Sequence, residues 1–199
     1  ATATHHRRMS PAPLIALFPE LLGDESWRQL PAAVQAMHGS SPRLQASGLA
    51  DITGDRRLPA RWLRRLLGLP SPGPAQALAL TIERRDDREI WTRRFATRQM
   101  RSTLGRRNGS PLLFETLGPA RLGFALRQDG DAIDWQLRSV HFLGLPCPRA
   151  LHGQVLSRSG IRDGRYQFSV DVRLPWLGQL VAYHGWLEPS QTGATPDEG

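Results

Sequence analysis

From residue 43 onward the chain is written in period two. In Arg165–Arg173, Tyr166, Phe168, Val170 and Val172 fall on one face and Gln167, Ser169, Asp171 and Arg173 on the other. A hinge at Leu174-Pro175-Trp176-Leu177-Gly178 leads into 179–187, which sets Val181, Tyr183 and Leu187 against Leu180, Ala182, His184 and Trp186. Such alternation predicts antiparallel strands with one buried face. It recurs at Arg43–Ile52, with Leu44, Ala46, Gly48, Ala50 and Ile52 in step, and at 77–84, 88–95, 98–104, 112–117, 120–127, 132–143 and 154–159. Asp129-Gly130 and Asp163-Gly164 suit two-residue hairpin turns, and Gly105 with Asn108-Gly109 marks another reversal. No repeated βαβ alternation runs through the chain, which excludes a parallel nucleotide-binding sheet. The expected fold is mainly β (α+β): a strongly curved antiparallel sheet or open β-barrel of about ten strands with short N-terminal helices.

The helices are confined to the first third. Asp24 is placed to N-cap a helix carrying Trp27 and Leu30. Pro31 suits the first turn of a second, whose apolar face continues through Val34, Met37 and His38. Pro59–Leu67 reads as an amphipathic helix, with Trp62, Leu63, Leu66 and Leu67 on one face and Arg61, Arg64 and Arg65 on the other. Its Trp/Leu stripe is expected to pack over one face or end of the sheet; the alternative for a basic amphipathic helix is a membrane surface. Residues 1–13 and 189–199 read as disordered tails around one globular domain, 14–188. Leu67-Gly68-Leu69-Pro70 recurs as Leu143-Gly144-Leu145-Pro146 with unlike flanks, which makes them two similar chain-reversal corners.

Composition narrows the setting. The 199 residues carry 26 basic side chains, all arginine, for a net charge of +8. Residues 84–107 hold nine of those arginines against Asp86, Asp87 and Glu89. That patch could attract phosphate, anionic lipid or an acidic partner, or be a solvated hairpin that uses arginine where other chains use lysine. No apolar run approaches the ~20 residues of a transmembrane helix. Cys147 stands alone, so no internal disulfide forms and a cytoplasmic location is expected.

No phosphate loop, dinucleotide fingerprint, nucleophile elbow or zinc-ligand spacing is present, so neither cofactor nor metal is expected. Trp91-Thr92-Arg93-Arg94-Phe95 stands out instead. On a strand, Trp91, Arg93 and Phe95 point the same way, and a guanidinium on a core face must be paired or liganded. Glu115 is the expected partner because its neighbours Phe114 and Leu117 are apolar. Arg93 is then either a structural ion pair or the anion-recognising group at the end of a cavity, with Glu115, Trp91, Phe95, Tyr183 and Trp186 as further candidate lining residues.

Several landmarks together carry a family resemblance. They are Leu21-Leu22-Gly23-Asp24, Leu30-Pro31, His38, Arg65-Leu66-Leu67-Gly68-Leu69-Pro70, Trp91-Thr92-Arg93-Arg94-Phe95 and Ser102. Glu115 with Gly118-Pro119, Leu143-Gly144-Leu145-Pro146, Leu174-Pro175, Leu177-Gly178, and Tyr183 with Gly185-Trp186-Leu187 complete the set. Over roughly 14–188 the chain resembles the bacterial domain of unknown function 4166 family, departing from it at Met100, where an aromatic is expected. The resemblance implies a domain found alone or fused behind a saccharopine-dehydrogenase-like or epimerase-like oxidoreductase domain, and it supplies no catalytic residue.

Four functions are therefore distinguished. The first is a binding module whose curved sheet encloses a small apolar or amphipathic ligand, with Arg93 at the polar end. The second is an interaction domain accessory to a dinucleotide-dependent oxidoreductase, docking through the 84–107 hairpin. An enzyme would need two of Glu115, Tyr183 and His184 to converge, and nucleic-acid binding lacks any recognised motif. The first is the leading expectation, with no catalytic activity of the chain's own.

Overall fold

Each period-two run becomes a strand, and the strands close. A computed structural model describes residues 16–190. Eleven strands follow in chain order: β1 (Arg43–Thr53), β2 (Gly73–Arg85), β3 (Arg88–Phe95), β4 (Gln99–Gly105), β5 (Leu113–Leu117), β6 (Ala120–Asp129), β7 (Ala132–Phe142), the two-residue β8 (Leu145–Pro146), β9 (Gln154–Arg162), β10 (Arg165–Leu174) and β11 (Gly178–Pro189). β1 to β7 pair in sequence, then β7 with β9, β9 with β10, β10 with β11, and β11 returns to β1. Every pairing is antiparallel, so the sheet is a closed ten-strand up-and-down barrel to which β8 adds a short flap on β7. Closure removes both sheet edges, and the open form allowed by the sequence is not the one adopted. The predicted tail 1–13 and residues 191–199 of the predicted tail 189–199 lie outside the described residues, while Pro189 belongs to β11.

Turn chemistry sets the register. Asp163-Gly164 forms the two-residue turn between β9 and β10, both residues at positive φ (53° and 75°). Between β6 and β7 the partners are Asp129 and Ala132, so the turn is Gly130-Asp131, one residue later than expected, with Gly130 at φ 56°. At the seam of β1 and β11 the two backbones nearly touch: a Cβ on Gly48 would lie 1.9 Å from the Trp186 carbonyl oxygen. This explains the small residues of β1.

Helices stop both ends of the barrel. At one end α1 (Leu17–Leu22), α2 (Asp24–Arg28) and α3 (Ala32–His38) form a plug, with Leu17, Phe18, Val34, Met37 and His38 fully buried. The four apolar members contribute about 1.5–3 kcal/mol each by leaving water. Asp24 sits inside α2 and makes no cap hydrogen bond; Gly23 holds the N-cap position.

At the other end α4 (Leu58–Leu66) and the corner after it close the barrel, with Leu69 buried over the interior. Here the expected stripe is buried only in part: Leu63 and Leu67 pack against the core and Arg61 and Arg65 face solvent as expected, but the other members change places. Trp62 is 73% exposed and Leu66 56%, whereas Arg64 is buried. Two backbone carbonyls decide the matter: the Arg64 guanidinium donates from Nη1 to the oxygens of Asp55 (2.7 Å) and Leu180 (2.8 Å). Leaving those acceptors dry and unpaired would cost more than leaving an indole in water.

Candidate functional site

The pleat of β3 turns Glu89, Trp91, Arg93 and Phe95 into the barrel and leaves Thr92 and Arg94 on the wall. Pairing of β3 with β4 sets Trp91 opposite Ser102, and pairing of β4 with β5 sets Leu104 opposite Glu115. Arg93, Ser102 and Glu115 therefore meet from three consecutive strands. Arg93 Nη1 donates to Ser102 Oγ at 3.0 Å, and its guanidinium lies 4.8 Å from the centre of the Trp91 ring. Glu115 Oε1 is 3.6 Å from Arg93 Nη1, a Coulombic pair beyond hydrogen-bond range. That oxygen is buried and finds no hydrogen-bond partner among the described residues.

β11 adds Tyr183 from across the barrel. Burial pushes its hydroxyl above the ordinary tyrosine value, while Arg93 pulls it down and Glu115 pushes it up, so both charges are felt there. Phe95 and Phe168 pack on the Tyr183 ring at centroid distances of 6.0 and 6.1 Å. Trp91, Arg93, Glu115, Phe168 and Tyr183, with Leu69, Leu117, Val170 and Val172 toward the α4 end, enclose a chamber of about 90 Å³; Phe95 backs the Tyr183 ring without lining it. It is an apolar enclosure with one charged wall.

Beneath the chamber, Tyr166 of its lining joins a buried polar contact that the side-chain pattern does not announce. His38 Nε2 lies 3.0 Å from the Tyr166 hydroxyl, and the imidazole packs between Phe18 (4.2 Å) and Trp91 (5.6 Å). Burial first, then the positive fields of Arg84 and Arg93, lower its pKa from 6.5 to about 3. Burial also pushes the Tyr166 hydroxyl up to about 12. At neutral pH both groups are uncharged, so they form a hydrogen-bonded floor with no tendency to exchange protons. Spacing along the chain hides this pair, whose members are 128 residues apart.

A second ion pair lies below the floor. Arg84 Nε donates to Glu89 Oε1 (3.1 Å), Nη1 to the Ser41 carbonyl (2.7 Å) and Nη2 to the Met37 carbonyl (3.1 Å). Glu89 Oε2 accepts from the Trp91 indole at 2.8 Å. Arg84, Glu89 and Arg93 are thus interior members of the arginine-rich segment. Its solvent-facing cations are Arg85, Arg88, Arg94, Arg101, Arg106 and Arg107, and Arg106 pairs with Glu20 of α1.

Of the residues expected at the site, Trp91, Arg93, Phe95, Glu115 and Tyr183 are brought together inside the barrel. Trp186 is not. The β11 pleat that turns Tyr183 and Leu187 inward turns Trp186 outward, where Arg165 stacks on its ring at 5.0 Å. His184 shares that outer face, 3.8 Å from Asp51. Glu115 and Tyr183 both line the chamber without a hydrogen bond between them, so no acid–base pair is assembled from the expected trio. Among the described residues no three His, Cys, Asp or Glu side chains converge to hold a metal ion.

A closed ten-strand barrel with a charged, aromatic-walled interior defines the class of architecture. Residues 30–187 match the family described as "Domain of unknown function (DUF4166)", and the chain belongs to that family. The matched span runs from the plug through β11 and includes every residue of the chamber. A comparison with curated proteins finds no match.

Proposed function

We propose that this protein is a binding module for a small amphipathic molecule with an anionic end, held inside the barrel by Arg93. The observation that carries the reading is the unfinished hydrogen bonding of the Arg93–Glu115 pair. The guanidinium spends Nη1 on Ser102, leaving its Nε and Nη2 hydrogens without a protein acceptor among the described residues. An anionic head group would supply an acceptor for those hydrogens on the side away from Glu115. Phe168, Val170 and Val172 offer an apolar wall to the rest of the molecule.

Size constrains the ligand. The free space of about 90 Å³ is well under the ~300–1,000 Å³ of sites that enclose drug-sized ligands. A head group of a few heavy atoms fits as the barrel stands, and a longer chain requires Leu69 and the α4 corner to yield.

Native mass spectrometry of protein purified without denaturation tests the reading, followed by calorimetric titration with short- and medium-chain carboxylic acids. The expected result is a bound acid whose affinity falls roughly tenfold to a hundredfold in Arg93→Gln. Arg93→Gln/Glu115→Gln, which leaves no lone charge in the chamber, is the folding control. No adduct together with no titratable acid, or affinity unchanged in Arg93→Gln, would overturn the proposal.

A further inference from the structure

The α4 end of the barrel carries a surface unlike the rest of the molecule. Leu58, Trp62 and Leu66 recur at four-residue spacing, so they form one stripe along α4, and all three stand in solvent. Trp176, 74% exposed, projects from the β10–β11 turn. That turn is tied to the base of α4 by Arg57, whose Nη2 donates to the Leu177 carbonyl at 2.6 Å. Leu143 and Leu145 stand exposed in the β7–β8 turn, which leans on the β5–β6 turn through a Leu143 N–H bond to the Pro119 carbonyl (2.8 Å). Gly118 of that β5–β6 turn lies directly beneath the Leu66 carbonyl. All but Leu49 and Leu156 of the large apolar side chains exposed among the described residues gather at this one end.

Charge accompanies them. A groove of about 730 Å³ beside α4 is lined by Arg56, Arg61, Arg64, Arg65 and Arg98, and no acidic side chain lines it among the described residues. The nearest acid in the chain, Asp55, is already engaged by Arg57.

We infer that this end docks on a bilayer surface bearing anionic lipid, with Trp62, Leu66, Leu58 and Trp176 seated at the headgroup–acyl boundary and Arg56, Arg61, Arg65 and Arg98 against lipid phosphates. Tryptophan and leucine beside an unbroken cationic flank is the pattern of an interfacial helix. A nine-residue helix free in water would have to be ordered on binding; α4 is already fixed to the barrel through Arg64. The first and last described residues lie at the plug end, beside α1 and β1, so the docking end faces away from both. The inference does not depend on what occupies the chamber, because none of the four apolar side chains lines it.

Vesicle flotation tests it, using phosphatidylcholine alone and phosphatidylcholine with roughly a third phosphatidylglycerol. The wild-type chain is expected to float with the anionic vesicles, weakly with the neutral ones, and less as salt rises. Brominated acyl chains should quench part of its tryptophan emission. Trp62→Ser/Trp176→Ser and Arg61→Glu/Arg65→Glu each should lower the affinity about tenfold or more with an unchanged circular dichroism spectrum. Three results would overturn the inference. They are a folded chain that stays in solution with anionic vesicles at low salt, binding that survives both double variants, and self-association lost in Trp62→Ser without any vesicle binding, which would assign the face to a second copy.

Discussion

The buried imidazole of His38 makes the barrel acid-sensitive by an amount that follows from its surroundings. Above pH 6.5 the ring is neutral in the folded and unfolded chain alike and stability does not respond to it. Below that value the unfolded chain takes up a proton that the native chain refuses until about pH 3. Stability therefore falls as pH drops, by about 1.4 kcal/mol for each pH unit in that window. At about pH 4.5 the loss reaches about 3 kcal/mol, and across the whole window about 5 kcal/mol. That is comparable with the entire stability of a modest domain, ~5–15 kcal/mol. The charged groups acting on the ring are Arg84 and Arg93, both of which oppose its protonation.

His38→Gln isolates the effect. Glutamine keeps a hydrogen-bonding group facing the Tyr166 hydroxyl but does not titrate. At neutral pH the variant is expected to be less stable by about 1–3 kcal/mol, from lost packing between Phe18 and Trp91. On acidification the wild type should lose stability faster, so the gap closes by about 1.4 kcal/mol per pH unit and reverses between about pH 6 and about pH 4.5. Urea unfolding followed by tryptophan fluorescence at neutral pH, about pH 5.5 and about pH 4.5 measures the gap, and carboxylates that titrate in both proteins cancel from it. A gap that stays constant from neutral pH to about pH 4.5 would refute the reasoning, because it would mean that the ring gains no proton on unfolding.

Three further outcomes follow from the same geometry. Arg84→Met strands Glu89 in the interior and is expected to cost about 3–5 kcal/mol by urea unfolding, with much of that recovered in Arg84→Met/Glu89→Leu. Burial already holds the Glu89 carboxyl above its ordinary value; a raised acid favours the native state at low pH, so the Arg84→Met penalty should grow as pH rises from about 5. Gly48→Ala drives a methyl into the Trp186 carbonyl and is expected to destabilise by about 3 kcal/mol or more, read as a fall in melting temperature. Arg64→Met leaves the Asp55 and Leu180 carbonyls without their donor, at about 1–3 kcal/mol by the same measurement.

Strands were legible because each one buries a single face, so composition alone reports the pleat. The inward register of β3 could be read from Trp91 and Phe95 flanking Arg93, and Glu115 was identifiable as its partner from Phe114 and Leu117 in the same short run. What stayed hidden depends on groups the side-chain pattern does not encode. The face that α4 buries is chosen by two backbone carbonyls, one from the chain after β1 and one from β11, which no helical wheel displays. Trp186 looks like core by its chemistry, yet the pleat that brings Tyr183 inward excludes it. The His38–Tyr166 bond joins a helix to a strand far along the chain, and periodicity marks each only as facing inward. Closure of the sheet, finally, is a property of the β1–β11 and β7–β9 pairings rather than of any one strand.

The interior holds two arginine–glutamate pairs, and their difference separates structure from candidate function. Arg84 and Glu89 have side chains only 1% exposed, and every nitrogen of the guanidinium donates to a carboxylate or carbonyl oxygen. Both Glu89 oxygens are engaged as well. Such completeness is what burying two charges requires, and here it locks the helical plug to β2 and β3. Arg93 and Glu115 sit further along the barrel, each 12% exposed, with a hydrogen bond from Arg93 to Ser102 but none to each other, and a Glu115 oxygen left without a donor. The same strands and the same core could have enclosed the second pair as fully as the first. If it served only stability, apolar residues of similar volume would do as well or better. A pair incompletely bonded beside the chamber is what the proposed binding role calls for. Arg93→Met/Glu115→Leu should accordingly leave the barrel at least as stable by urea unfolding while abolishing any ligand retained by the native protein, and a large loss of stability in that double variant would return the pair to a structural role.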